Sequence, residues 1–310
     1  MPGAGMLGWS LRHRGEELLG HPVSLSKYLE TGEPTGVALL HPWANRLARP
    51  RYEIAGRRVE LDMSAPNVHT DRNGLPIHGL VAGSRRWEVL EEQASELKAR
   101  LDYAAWPELA AGFPFPHVLE LAARLSDRGL EIDVELAVTG DAPVPVAFGF
   151  HPYLTLPGLD RRQWLVELPV TSRMVLDERM LPTGESEPVR IPPAPLGERT
   201  FDDAFDGFAD PAEFAVAGAG RRVGVRFLDG YRFAQVYAPP GASFISFEPM
   251  TAPVNPFEDS RTLVAQPGST YRARYEIVVT AEAVHGRGHS TARAGAPSQP
   301  SMFSARHTRK

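Results

Sequence analysis

LEIDVELAVTG, residues 130–140, decides the fold class: Leu130, Ile132, Val134, Leu136 and Val138 alternate with Glu131, Asp133 and Glu135. A period of two lays apolar side chains on one face of a strand and carboxylates on the other. The three acids therefore read as a solvated sheet face rather than a catalytic cluster. The pattern recurs outward from here. YRARYEIVV sets Tyr271, Ala273, Tyr275, Ile277 and Val279 on one face, and VGVRFLDG, YRFAQVYAP and SFISFEP read as further strands. YEIAGRRVEL reads as a hairpin turning at Gly56, with Tyr52 and Ile54 alternating before the turn and Val59 and Leu61 after it. SRRWEVLEE has strand texture, and Gly8 to Arg14 reads as a first strand. HVLELAARL fits helix or strand, and SELKARLDY supports a helix that the prolines of AWPEL and AGFPFPH would break. RTFDDAFDGF, crowded with carboxylates, reads as a loop, as does the long polar stretch after Met63. With 28 glycines and 29 prolines punctuating short elements, long helices have little room. The expected fold is all-β, a large antiparallel β-sandwich.

Composition narrows the function. The 33 basic and 38 acidic residues leave a formal charge of -5, so no global field favours nucleic acid or an anionic membrane as partner. The absence of cysteine excludes thiolate nucleophiles and cysteine-ligated metal. No run approaches the roughly 20 apolar residues of a membrane span, and the first residues carry no continuous apolar stretch, so a soluble, cytoplasmic protein is expected. From about Ala283 the chain turns to Gly, Ser, Ala, Arg and His without periodicity. One domain over 1–282 and a disordered basic tail over 283–310 are expected.

Four segments, HPWANRL, LPIHGL, FGFHPYLTL and FISFEPMTAP, each place a polar residue among aromatic or proline neighbours. A sugar site needs such parts, since rings cover C–H faces while charged and imidazole groups take hydroxyls. His151 lies within PVAFGFHPYLTLPG, and by itself it reads equally as an acid, a base or a packed structural histidine. These segments, with GEELLG, RWEV, LPTGE and FDDAF in the same order, resemble the aldose 1-epimerase (galactose mutarotase) family from near the N-terminus to about Val279. The resemblance implies a galactose mutarotase-like supersandwich and interconversion of the α and β anomers of a free hexose or related aldose. Hexose-6-phosphate 1-epimerase activity and non-catalytic sugar binding are the alternatives. It further implies that Glu248 is the base and His151 the acid, with His78, Arg46, the preceding Asn45 and Asp202 binding substrate, and with no metal or organic cofactor. Asp202 and its neighbour Asp203 should face opposite ways if extended, and Asp202 is favoured. A carboxylate beside His151 should favour the charged imidazole. Monomer and homodimer remain open.

Departures from the family pattern bear on the sugar. Met250 stands where glutamine is frequent, Val254 where an acid is frequent, and YLTL replaces YFNL, so fewer polar contacts are expected. Arg85, Arg86, Arg161 and Arg162 are the candidates for holding a phosphate.

Overall fold

The computed structural model describes residues 1–209 and 211–281, and the tail expected over 283–310 lies outside them. Two antiparallel sheets dominate. A seven-stranded sheet runs, edge to edge, Pro182–Pro188, Val170–Leu176, Phe201–Phe208, Phe233–Ala238, Ile245–Met250, Gly149–Leu154 and Val37–Leu40. A nine-stranded sheet runs Ala194–Pro195, Leu165–Glu167, Ala212–Gly218, Arg221–Asp229, Thr270–Ala281, Gly129–Val138, His117–Ser126, Glu96–Asp102 and Glu88–Glu92. The alternation in residues 130–138 acts as read. Val134 and Leu136 are fully buried, while Glu131, Asp133 and Glu135 reach Arg124 and Arg272 on the outer face of the nine-stranded sheet.

Aromatic side chains join the sheets: Phe150 meets Tyr275 with ring centroids 5.0 Å apart, and Phe247 meets Phe214 at 6.0 Å. Phe150 and Phe247 are the chain neighbours of His151 and Glu248. With a strand period of two, a ring turned into the core turns the next side chain out through the opposite face. The FGFHPY and FISFEP segments thus anchor the sandwich and present its ionisable groups by the same alternation.

Several local expectations give way. SELKARLDY forms the strand Glu96–Asp102, because pairing with His117–Ser126 outweighs a helical propensity that burial does not support. Pro107, expected to break a helix, opens a short one over Pro107–Gly112, where proline's missing N–H costs nothing. RTFDDAFDGF contains the strand Phe201–Phe208, whose acids are accommodated near the sheet edge and on the cavity face. The first strand reduces to Arg12–His13, with Gly8 making only an isolated bridge to Val37.

Candidate active site

Register assembles the site. Gly149 pairs with Met250 and Tyr153 with Ser246, which sets His151 opposite Glu248. Glu248 pairs in turn with Gln235, and Tyr237 with both Ser246 and Asp202. Two rows of polar side chains therefore cross the middle strands on the face away from the core. Loops close over them. The helix Leu25–Thr31, capped by Ser24 and ended by Gly32 at φ 68°, brings Thr31–Pro34 to the rim. The long loop after Met63 contributes Val68–Arg72 and His78. The cavity so enclosed measures about 690 Å³, within the range of small-molecule sites.

All six residues singled out in the sequence line this one cavity: Asn45, Arg46, His78, His151, Asp202 and Glu248. His151 Nε2 lies 3.2 Å from Glu248 Oε1, with both side chains almost fully buried. The imidazole is held on its other nitrogen by Ser246 Oγ at 3.1 Å and edge-on by His78, with centroids 5.7 Å apart. Arg46 is fixed by two acceptors, Asp71 Oδ2 at 2.7 Å from Nε and Asn45 Oδ1 at 3.0 Å from Nη1. Asp71 is itself braced by the N–H groups of Asn73 and Leu75, the Asx-type turn that D-R-N-G encodes. Asp202 accepts from Gln235 Nε2 at 2.7 Å, whereas Asp203 does not line the cavity and pairs with Arg173 at 3.0 Å. The choice between the adjacent acids follows from strand alternation.

The glycine after His78 has a physical reason. His78 and Gly79 both adopt left-handed backbone, at φ 64° and 74°, and a Cβ on Gly79 would come within 2.2 Å of the His41 carbonyl oxygen. Only glycine lets the loop approach that backbone while His78 N–H donates to Asn45 O at 2.9 Å.

Burial sets the protonation states. It pushes His151 down to about 3, its own backbone carbonyl offsetting this in part, and drives Glu248 well above the ordinary carboxyl range, with Asp202 adding to the rise and Arg46 opposing it. The expectation that the carboxylate would hold His151 charged is thereby corrected: desolvation of two nearly inaccessible groups outweighs their mutual attraction. Both shifts favour the uncharged forms, a carboxyl beside a neutral imidazole. Burial also raises Asp202 and lowers His78, the latter helped by the nearby His151 and Arg46. Asp71 stays below its usual range because the hydrogen bonds from Arg46, Leu75 and Asn73 overcome its burial.

Among the described residues, four buried polar atoms on the cavity lining have no partner: Glu248 Oε2, Gln235 Oε1, His78 Nδ1 and His69 Nε2. Such atoms cost free energy unless a ligand or water meets them, and a polyhydroxylated ligand supplies matching groups. Sequence reading missed Tyr153, Gln235, Tyr237, Asp71 and Arg72 in the lining. Tyr153 was reachable from His151 by the same-face spacing of two, as Gln235 and Tyr237 were from each other. The departures noted in the sequence fall elsewhere. Met250 packs with Leu40, Ala44 and Phe233, and Val254 with Met174 and Ala204, while Leu154 is buried and Thr155 is not in the lining. Of the four arginines considered for phosphate, none lines the cavity: Arg85 and Arg86 border an adjoining depression that shares Gly32 and His69 with its wall, Arg162 pairs with Asp160, and Arg161 reaches Arg199 O.

The family model described as aldose 1-epimerase matches residues 2–278. No curated protein matches the chain. Among solved structures, a galactose mutarotase-like protein from Clostridium acetobutylicum is 16% identical with a TM-score of 0.77, the alignment covering 91% of each chain. A Synechocystis protein is 21% identical with a TM-score of 0.72, again over 91% of each chain. A GalM/aldose epimerase homologue from C. elegans is 15% identical with a TM-score of 0.69, covering 89% of this chain and 91% of its own. At these identities the likeness is one of fold.

Proposed function

The chain belongs to the aldose 1-epimerase family, and from that premise we propose that it interconverts the α and β anomers of a free aldose by opening the sugar ring in this cavity. Glu248 takes the proton of the anomeric hydroxyl and His151 delivers one to the ring oxygen. Rotation about C1–C2 and the reverse transfers then give the other anomer. The observation that carries this reading is the 3.2 Å contact between His151 Nε2 and Glu248 Oε1 on the cavity wall, with Glu248 Oε2 left without a partner among the described residues. One proton shared by two groups is the stock the reaction needs, since one end of the hemiacetal must lose a proton while the other gains one. A sugar drawn between the pair separates them, and the hydroxyl and ring oxygen take over their mutual contact. Arg46, locked by Asp71 and Asn45, offers a positioned cation against charge developing on the ring oxygen, and Asp202 with Gln235 offers acceptors for distal hydroxyls.

Charge in the lining favours an uncharged sugar over a hexose 6-phosphate. Glu33, Asp71, Asp202 and Glu248 face the cavity against Arg46 and Arg72, and Arg46 is already paired. A phosphate dianion would be desolvated beside these acids, with Arg72 the one lining guanidinium that is unpaired among the described residues. Exchange NMR on equilibrated glucose, galactose and glucose 6-phosphate tests this. Anomer exchange is expected to accelerate for a free hexose and by at least about tenfold less for the phosphate ester. Preference for the ester would overturn the assignment.

A further inference from the structure

Tyr153 stands two residues beyond His151 on the same strand face, its ring stacked on the imidazole with centroids 4.2 Å apart and planes 11° apart. Its hydroxyl reaches the nitrogen that also faces Glu248: Tyr153 Oη is 3.3 Å from His151 Nε2, and Glu248 Oε1 is 3.2 Å from it. The other ring nitrogen is occupied, because Nδ1 meets Ser246 Oγ at 3.1 Å. A serine hydroxyl can accept from Nδ1, and the tautomer with its proton there leaves Nε2 bare. Two oxygens then converge on one lone pair, an arrangement that ring packing alone does not require. The strand backbone is pinned at this residue and a second ring packs against the phenol. Tyr153 N–H donates to Gly36 O at 2.8 Å, its carbonyl accepts from Gly20 N–H at 2.9 Å, and the Phe244 ring lies edge-on at 4.8 Å.

We infer that Tyr153 is a positioning residue for the proton transfer: its hydroxyl donates to Nε2 whenever that nitrogen is bare, in the resting neutral His151 and again once the nitrogen has given its proton to the sugar. The inference rests on the ring-opening reading above. In that step the proton held on Glu248 first passes across the 3.2 Å contact to His151 Nε2 as the carboxyl turns to the sugar; the Glu248 carboxylate then takes the proton of O1–H, and the electrons left on O1 form the C1 carbonyl. The C1–O5 bond breaks with its pair on O5, which takes the proton of His151 Nε2, and the emptied nitrogen accepts from Tyr153 O–H. Tyr153 keeps its own proton throughout. Burial, with Glu248 nearby, holds its phenol well above the ordinary range.

The test is Tyr153→Phe, which keeps the stacked ring and the buried volume. For the most readily turned-over aldose, kcat is expected to fall about tenfold with KM changed less than about twofold, the loss of one hydrogen bond made as the reaction proceeds. In the resting protein the ¹⁵Nε2 resonance of His151 is expected to move toward that of a nitrogen with no donor, while Nδ1 stays in place. An unchanged Nε2 resonance overturns the inference, whether or not kcat falls, because any loss of rate then belongs to packing. If neither protein turns over any aldose, the ring-opening reading fails, and the resonance still decides whether the hydroxyl engages the nitrogen.

Discussion

His151 and Glu248 show how burial, more than charge proximity, sets the state of this site. With His151 pushed down to about 3 and Glu248 raised by the same desolvation, both shifts favour a single proton held by the carboxyl beside a neutral imidazole. An ordinary histidine would change state near pH ~6.5. Polarimetric kcat/KM, corrected for the uncatalysed rate, is therefore expected to stay flat from pH 7.5 to 5.5, the second proton joining the pair only at lower pH. A limb centred near 6.5 would contradict the assignment of one shared, buried proton. Sequence reading reached both residues but misjudged the imidazole. The carboxylate opposite it was legible, while the near-complete enclosure of both groups by strands and loops remote in sequence was not.

At the scale of elements, strand alternation made most of the site legible and loops hid the rest. Phe150 and Phe247 fix which way His151 and Glu248 point, and the same rule separates Asp202 from Asp203. Asp71 and His69 lie in the long irregular loop, where no period carries information, and only the D-R-N-G turn marks Asp71 as a fixed point. SELKARLDY misled because local propensity is weak beside a partner strand waiting at His117–Ser126. The rim offers a direct check on a contact no periodicity reveals. Gly32 closes the helix Leu25–Thr31 at φ 68°, and a Cβ there would sit 2.0 Å from His69 Nε2. Gly32→Ala combines left-handed strain with that collision, and chemical denaturation is expected to register a loss of about 1–3 kcal/mol, together with a raised KM as His69 is displaced along the wall. Unchanged stability and KM would mean the rim yields without disturbing the cavity.

Over the whole molecule, buried neutral histidines link stability to pH. Beneath the site His41 and His117 meet at 2.9 Å through their Nε2 atoms, and His117 Nδ1 donates to Phe115 O at 2.6 Å. Burial pushes His117 down to about 4, against a partial rise from that carbonyl, and drives His41 and His78 well below their ordinary value. These residues are neutral when folded, and the unfolded chain protonates them below pH ~6.5, so it then binds more protons and stability falls as pH drops. Glu248, raised in the fold, acts in the opposite sense above about 4.5 and offsets His151. The unfolding free energy from urea titration is expected to decline between pH 7.5 and 5.5, approaching a slope of about 1.4 kcal/mol per pH unit for each uncompensated histidine, and a flat profile would contradict neutral burial. The central claim, ring opening by Glu248 and His151, is tested most directly by the optical rotation of freshly dissolved α-D-glucose and α-D-galactose with wild type and Glu248→Gln. Wild type is expected to speed relaxation of at least one sugar, and the variant to lose about 10²–10⁴-fold of that acceleration; equal rates for wild type, variant and buffer across the aldoses would contradict it.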